Sequence, residues 1–208
     1  MGMEKLVELT IRVFADYDRD KKHDAIALIV QTPDNTLQLM NGIAAIHKTH
    51  PDMLYLVNGS ESISGYAGFK QYQTLLLNKS IDEKQILKVP PVDKNILHTR
   101  NESEAIVRFA KRMNFETLGV MAAPFHQLRA FMSVVTLCLL IYPELKIYSI
   151  PGSPADWTEK VSHSQGLLND SRNKLIHSEI QRITTYQEKG DLASTEEVLE
   201  YLNNRDIS

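Results

Sequence analysis

Short apolar runs alternate along this chain with longer segments whose apolar residues recur every three or four positions, the pattern of β-α-β units and a mostly parallel sheet. Five runs read as strands: Asp24 to Val30, Met53 to Asn58, Gln85 to Val89, Thr117 to Ala122 and Lys146 to Ile150. The first is continuously apolar after its opening residue, as a strand covered on both faces must be, and belongs at the sheet centre. The third and fifth are weaker and belong nearer the edges. Helical period fills the intervals, at about Lys5 to Ala15, Thr36 to Thr49, Gly68 to Asn78, Asn101 to Asn114 and His126 to Ile141. In the fourth of these, Ile106, Phe109, Ala110 and Met113 fall on one face. After Pro151 no further strand is expected. A Pro/Gly-bearing loop to Gly166 precedes helices at about Leu167 to Lys189 and Ser194 to Asn203. The expected fold is thus α/β, a Rossmann-like three-layer domain with a mostly parallel five-stranded sheet and added C-terminal helices. Residues 1–151 form the core and 152–208 a loop and helical appendage packed on it.

With 208 residues, 43% hydrophobic and 24% charged, the chain is long enough to bury a full core. Its net charge of −3 is interspersed, so no basic stripe is available for a run of phosphates, and nucleic acid is not an expected partner. Cys138 is the only cysteine, sits in an apolar run and reads as a small core hydrophobe, which excludes an internal disulfide and clustered-thiolate metal sites. The N-terminal residues lack the apolar region and cleavage site of a signal peptide. The longest apolar stretch, Ala130 to Tyr142, is too short to span a bilayer. No membrane insertion is therefore expected, and the cytoplasm is the expected compartment. The sequence contains no G-x-G-x-x-G, P-loop, H-E-x-x-H or G-x-S-x-G motif, which removes the enzyme classes built on them. Its seven histidines are scattered, and no metal site is expected.

Ligands of open parallel sheets bind beyond the carboxyl ends of the strands, so the loops that follow the strands are the ones to inspect. They are polar: Gln31 to Asn35 after the first, Asn58 to Ser62 after the second, Pro90 to Arg100 after the third, Ala123 to His126 after the fourth.

Two stretches, Thr99-Arg100-Asn101-Glu102 and Pro124-Phe125-His126-Gln127-Leu128-Arg129-Ala130, resemble motifs of the YdcF/SanA-like bacterial family of domains of unknown function. The resemblance runs from about Asp24 to Ile150. It implies a Rossmann-like fold, links to cell-envelope physiology, and S-adenosylmethionine as a ligand, because binding of that molecule is associated with one member; no general reaction is implied. Family members carry Gly-rich turns after the first two strands, where this chain has Gln31-Thr32-Pro33 and Asn58-Gly59-Ser60. The membrane anchor of the SanA-like branch is not expected here, and the chain looks closer to the soluble YdcF-like branch.

Each candidate residue has a structural and a functional reading. Thr99 and Glu102 have the spacing of a capping box, or else face a ligand. Arg100 pairs with Glu102 or Glu104, or grips a ligand anion in bidentate fashion. His126 opens a helix, where free N–H groups disfavour imidazolium; it is a cap or a core-edge hydrogen bonder, or else a neutral imidazole able to act as general acid or base. Arg129, one turn on, can share a bound anion. Asn58, Gly59, Ser60 and Glu61 are turn chemistry, or a ligand loop in which Gly59 admits close approach and Glu61 accepts from hydroxyls or an amine. Phe125 flanks a flat ring or packs in the core. His163 sits on a surface loop, or on a lid folded over the site. Two functions follow as expectations. One is a module binding an anionic nucleotide-like small molecule. The other is a hydrolase or transferase acting on a phosphate- or carboxylate-bearing, envelope-related substrate, with His126 as general acid or base.

Overall fold

The computed structural model describes residues 2–16, 22–63, 65–93, 95, 97–163 and 168–207. Helix α1 (Met3–Phe14) is followed by β1 (Ala25–Leu28), α2 (Pro33–Thr49), β2 (Leu54–Asn58), α3 (Phe69–Leu77), β3 (Ile86–Val89), α4 (Thr99–Met113), β4 (Thr117–Met121), α5 (Gln127–Ile141) and β5 (Lys146–Ser149). The five strands pair in the order β3-β2-β1-β4-β5, every pair parallel. Ile26 lies level with Tyr55 on one side and Gly119 on the other.

Strand period 2 sends successive side chains to opposite faces and so makes two cores from one sheet. Ala25, Ala27, Ile29, Leu118 and Val120 pack with α1, α4 and α5 on one face; Ile26, Leu28, Tyr55, Val57 and Met121 pack with α2 and α3 on the other. Helix α5 is buried along most of its length, consistent with its uninterrupted apolar sequence. No helix among the described residues is long and apolar enough to cross a membrane. In α4 the expected apolar face holds at Ile106, Phe109 and Ala110, whereas Met113, in the last turn, is exposed.

The strands do not stop at Pro151. Strand β6 (Lys160–His163) pairs antiparallel with β7 (Leu168–Ser171), and only then do α6 (Arg172–Glu188) and α7 (Thr195–Ile207) follow. The helix expected from about Leu167 to Lys189 begins only at Arg172, because residues 168–171 belong to β7; residues 164–167 lie outside the described residues. The hairpin escapes sequence pattern because its inward positions are Val161 and His163, so the alternation carries a single apolar residue. It is held by polar anchoring instead. Thr32 Oγ1 donates to Ser162 O at 2.7 Å, Asn35 Nδ2 donates to the same carbonyl at 3.0 Å, and Asp34 Oδ2 accepts from Ser162 N at 2.7 Å. The polar loop after β1 therefore serves as the socket for this hairpin.

Arg172 fixes the same corner. Fully buried, it donates to Asn35 Oδ1 (3.2 Å), Asp34 O (3.0 Å), Asp156 O (2.9 Å) and Glu159 Oε2. Removing it strands several acceptors away from water, a cost of about 3–5 kcal/mol. Arg172→Ala is expected to lower the urea midpoint by a corresponding amount. Arg172→Lys is expected to recover less than half of the loss, since one ammonium cannot match that fork of donors; a silent Arg172→Ala change would show that the corner is held by other contacts.

Candidate functional site

Strand order reverses between β1 and β4, and helices leave the carboxyl ends of those strands in opposite directions, opening a crevice. A cavity of about 440 Å³ occupies it. Val30, Gln31 and Thr32 reach it from the end of β1, Thr99, Arg100 and Glu102 from the start of α4, His126 and Arg129 from the start of α5, and His163 from the hairpin. Arg182 and Tyr186 of α6 complete its wall, with Asp191 beyond them.

Bonded to three of these lining side chains is a buried carboxylate that the sequence reading did not single out. Glu179, on α6, receives His126 Nδ1 at 2.6 Å and Arg129 Nε at 2.8 Å on Oε2, and His163 Nε2 at 2.7 Å and Arg129 Nη2 at 3.0 Å on Oε1. Burial alone would raise its pKa. Attraction to His126 where that ring is protonated in acid, attraction to the permanent charge of Arg129 and hydrogen bonds from both imidazoles outweigh that and hold it well below the usual carboxylate range. Glu179 is therefore ionised and has no proton to give, so each ring nitrogen that touches it must be the donor.

For His126 this fixes the tautomer. Nδ1–H donates to Glu179, and Nε2 is left as a lone pair without a hydrogen-bond partner among the described residues, on a side chain that lines the cavity. Burial lowers its pKa to about 4; the attraction of Glu179 recovers only part of that, and Arg129 opposes it. The imidazole is neutral at pH 7. It makes no side-chain cap to α5, so the capping alternative falls away.

The capping box at Thr99 and Glu102 is absent too. The N-cap of α4 is His98, whose Nδ1 accepts from Asn101 N at 3.3 Å. Thr99 Oγ1 instead accepts from Arg129 Nη1 at 3.1 Å, and Glu102 Oε1 accepts from Val30 N at 3.0 Å. Desolvation pushes the buried Glu102 carboxyl up to about 8, with the Val30 N–H pulling weakly the other way. Arg100 pairs with neither Glu102 nor Glu104: it binds the Asp191 carbonyl and lies 3.5 Å from the Asp191 carboxylate, while Glu104 takes Arg108. Arg129, expected to hold a ligand anion, has its Nε, Nη1 and Nη2 all engaged by protein acceptors.

The second-strand loop stands aside from the cavity. Asn58 Oδ1 accepts from Ser60 N at 2.9 Å, a local turn, and a Cβ on Gly59 would come 2.7 Å from Val89 O, so that glycine admits the neighbouring strand end. Glu61 is exposed. Among the described residues of this region only Tyr66 lines the cavity, its hydroxyl donating to Asn58 O at 2.7 Å. Phe125 is in the core, its ring edge-on to His163 with centroids 5.1 Å apart. It positions that imidazole.

His126, His163 and Glu179 form a cluster with metal-binding atoms gathered within 4.8 Å, brought together from separate elements as a metal site would require. Tetrahedral ligands about 2.0–2.1 Å from a zinc ion stand about 3.3 Å apart. Here the imidazoles lie 2.6 and 2.7 Å from the carboxylate, hydrogen-bond lengths, and a guanidinium occupies its remaining lone pairs. The geometry is that of a carboxylate orienting imidazoles.

Glu179 had one signal in the sequence. On α6 the buried positions are Arg172, Leu175, Glu179 and Ile183, so a glutamate stands on the apolar stripe where only a partnered charge is tolerated. No protein-family model matches the chain, and no curated protein matches it.

Removing Arg129 leaves Glu179 buried without its permanent counter-charge. Arg129→Ala is expected to cost about 3–5 kcal/mol in denaturant unfolding, and a loss below about 1 kcal/mol would mean that the imidazoles alone sustain the carboxylate. Protonation supplies a second check. His126, with its pKa lowered on folding, adds stability above pH 6.5 that is lost as pH falls towards 4. Glu102, with its pKa raised, adds stability below pH 4.5 that is lost as pH rises through 8. The contributions of these two groups oppose between pH 4.5 and 6.5, whereas from 6.5 to 8 only that of Glu102 falls. Unfolding across pH 4–8.5 is expected to show the stability of Glu102→Gln relative to wild type growing from pH 4.5 to 8, and that of His126→Gln growing as pH falls from 6.5 to 4; parallel profiles would contradict both shifts.

Proposed function

We propose that this protein is a hydrolase or transferase acting on a small molecule that carries a phosphate or carboxylate, with His126 as the general base. One observation carries the reading: a neutral imidazole, oriented through Nδ1 by an ionised buried carboxylate, with Nε2 unpartnered among the described residues and its side chain lining a cavity at the switch point of a parallel sheet. A module that only binds has no need of a fixed tautomer, because ligand contacts can be made by groups that never change protonation.

Arg182 supports an anionic substrate. It lines the cavity and makes no ion pair among the described residues, in contrast to Arg100 and Arg129. A volume of about 440 Å³ falls within the range of small-molecule sites. It is adequate for a nucleotide-like ligand, so S-adenosylmethionine, brought forward by the family resemblance, remains the second reading.

The proposed step begins with Nε2 taking a proton from a water or substrate hydroxyl as its oxygen attacks. Positive charge then develops on the ring, and Glu179 stabilises it through Nδ1–H without itself accepting the proton. Wild-type protein screened against phosphate and carboxylate esters is expected to turn over at least one class. His126→Gln is expected to lower kcat by about a hundredfold or more while inorganic phosphate still shifts the melting temperature as in wild type. Full turnover in His126→Gln would remove the base from the proposal. Stabilisation of the wild type by S-adenosylmethionine, with no turnover of any ester, would favour the binding module.

A further inference from the structure

The cavity holds a second proton-bearing group. Glu102 is buried at its wall, with Oε1 fixed by the Val30 N–H and Oε2 lacking a hydrogen-bond partner among the described residues. No lysine or arginine among the described residues pairs with it. The basic groups nearest it in the fold are held by other partners. On its own helix, Arg100 is held by Asp191, and His98 caps the backbone through Nδ1. From α5, Arg129 is clamped on Glu179, as is His126 through Nδ1. From the hairpin, His163 Nε2 is on Glu179 as well. On the α3 side, the Tyr66 hydroxyl donates to Asn58 O and the Tyr72 hydroxyl to Gln31 O. Of the remaining charges, Arg182 lines the same cavity, and Glu61 is exposed outside its wall. A carboxyl so enclosed, with one N–H donor and no bound cation, keeps its proton near neutral pH.

Resting on the reading of His126 as base, we propose that Glu102 is the general acid of the same site, and that the substrate is therefore a phosphate ester of an aliphatic alcohol. An aryl oxide leaves unaided, whereas an alkoxide must receive a proton as it departs, so a built-in acid is useful only for the second kind of ester. The step balances. His126 Nε2 takes a proton from water, the water oxygen bonds to phosphorus, the bond from phosphorus to the alkyl oxygen breaks with its electron pair on that oxygen, and Glu102 delivers its proton there. Imidazolium and carboxylate remain, and transfer of one proton from His126 to Glu102 through solvent restores both. A neutral Glu102 also adds no repulsion against the phosphate dianion beside it.

The test separates this inference from the reading beneath it. Infrared difference spectra of the full chain, wild type minus Glu102→Gln, are expected to contain a protonated-carboxyl C=O band at pH 7 that titrates away around pH 8; absence of the band at pH 7 overturns the proposal without touching His126. Glutamine keeps the acceptor for Val30 N–H, so the variant is expected to fold. Turnover of n-butyl phosphate is expected to fall about a hundredfold or more in Glu102→Gln, and that of p-nitrophenyl phosphate by less than about threefold. Equal losses on the two substrates would make Glu102 a structural group and overturn its acid role. In His126→Gln both substrates are expected to fall together, with the infrared band retained. If the band is present but wild type hydrolyses neither phosphate, the substrate class proposed here is wrong, while the base assignment stays open to the wider ester screen.

Discussion

The site depends on one constraint, that the carboxylate of Glu179 is ionised where almost no water reaches it. An isolated charge in such a place costs several kcal/mol, so it persists only because four N–H groups converge on its two oxygens. Those donors come from the start of α5 and from the hairpin, which gives one side chain on α6 three tertiary partners. Satisfying Glu179 therefore also positions His126, Arg129 and His163. The tautomer of His126 follows as well, since an acceptor with no proton dictates which nitrogen carries one.

Engagement of the polar groups propagates outward from that centre. Arg129, drawn onto Glu179, also takes the Thr99 hydroxyl, which removes Thr99 from the cap of α4 and leaves His98 to fill that place. Glu102, released from any capping box, turns to the backbone N–H of Val30 and remains a carboxyl without a cation. His126 and Glu102 thus end with pKa values displaced in opposite directions by the same agent, burial. Both are uncharged at neutral pH, one able to take a proton and the other able to give one.

The C-terminal segment is what closes the crevice. Arg172 and the socket around Ser162 dock the hairpin and the start of α6 on the first turn of α2, and that docking sets where His163, Glu179 and Arg182 stand. A residue distant in sequence from β1 and β4 thereby anchors side chains that line the cavity at their switch point. The loop after β2, with its small polar residues, is instead taken up in a local turn and in contact with the end of β3.

The sequence by itself determined the sheet, its central strand, the helices of the crossovers and the end of the sheet where polar loops gather, because each rests on a local period or a local composition. It also marked Thr99, Arg100, Glu102, His126, Arg129 and His163, which share the cavity. What those residues do could not be read locally. Whether Arg129 faces a ligand or a carboxylate, whether Glu102 caps a helix or keeps a proton, and which nitrogen of His126 is free are settled by partners dozens of residues away. The hairpin was hidden for the same reason, its order coming from side-chain bonds to the α2 start rather than from an apolar alternation. Glu179 was written on the apolar stripe of α6 all along, but only the tertiary structure supplied the guanidinium and the two imidazoles that make a buried charge tolerable there.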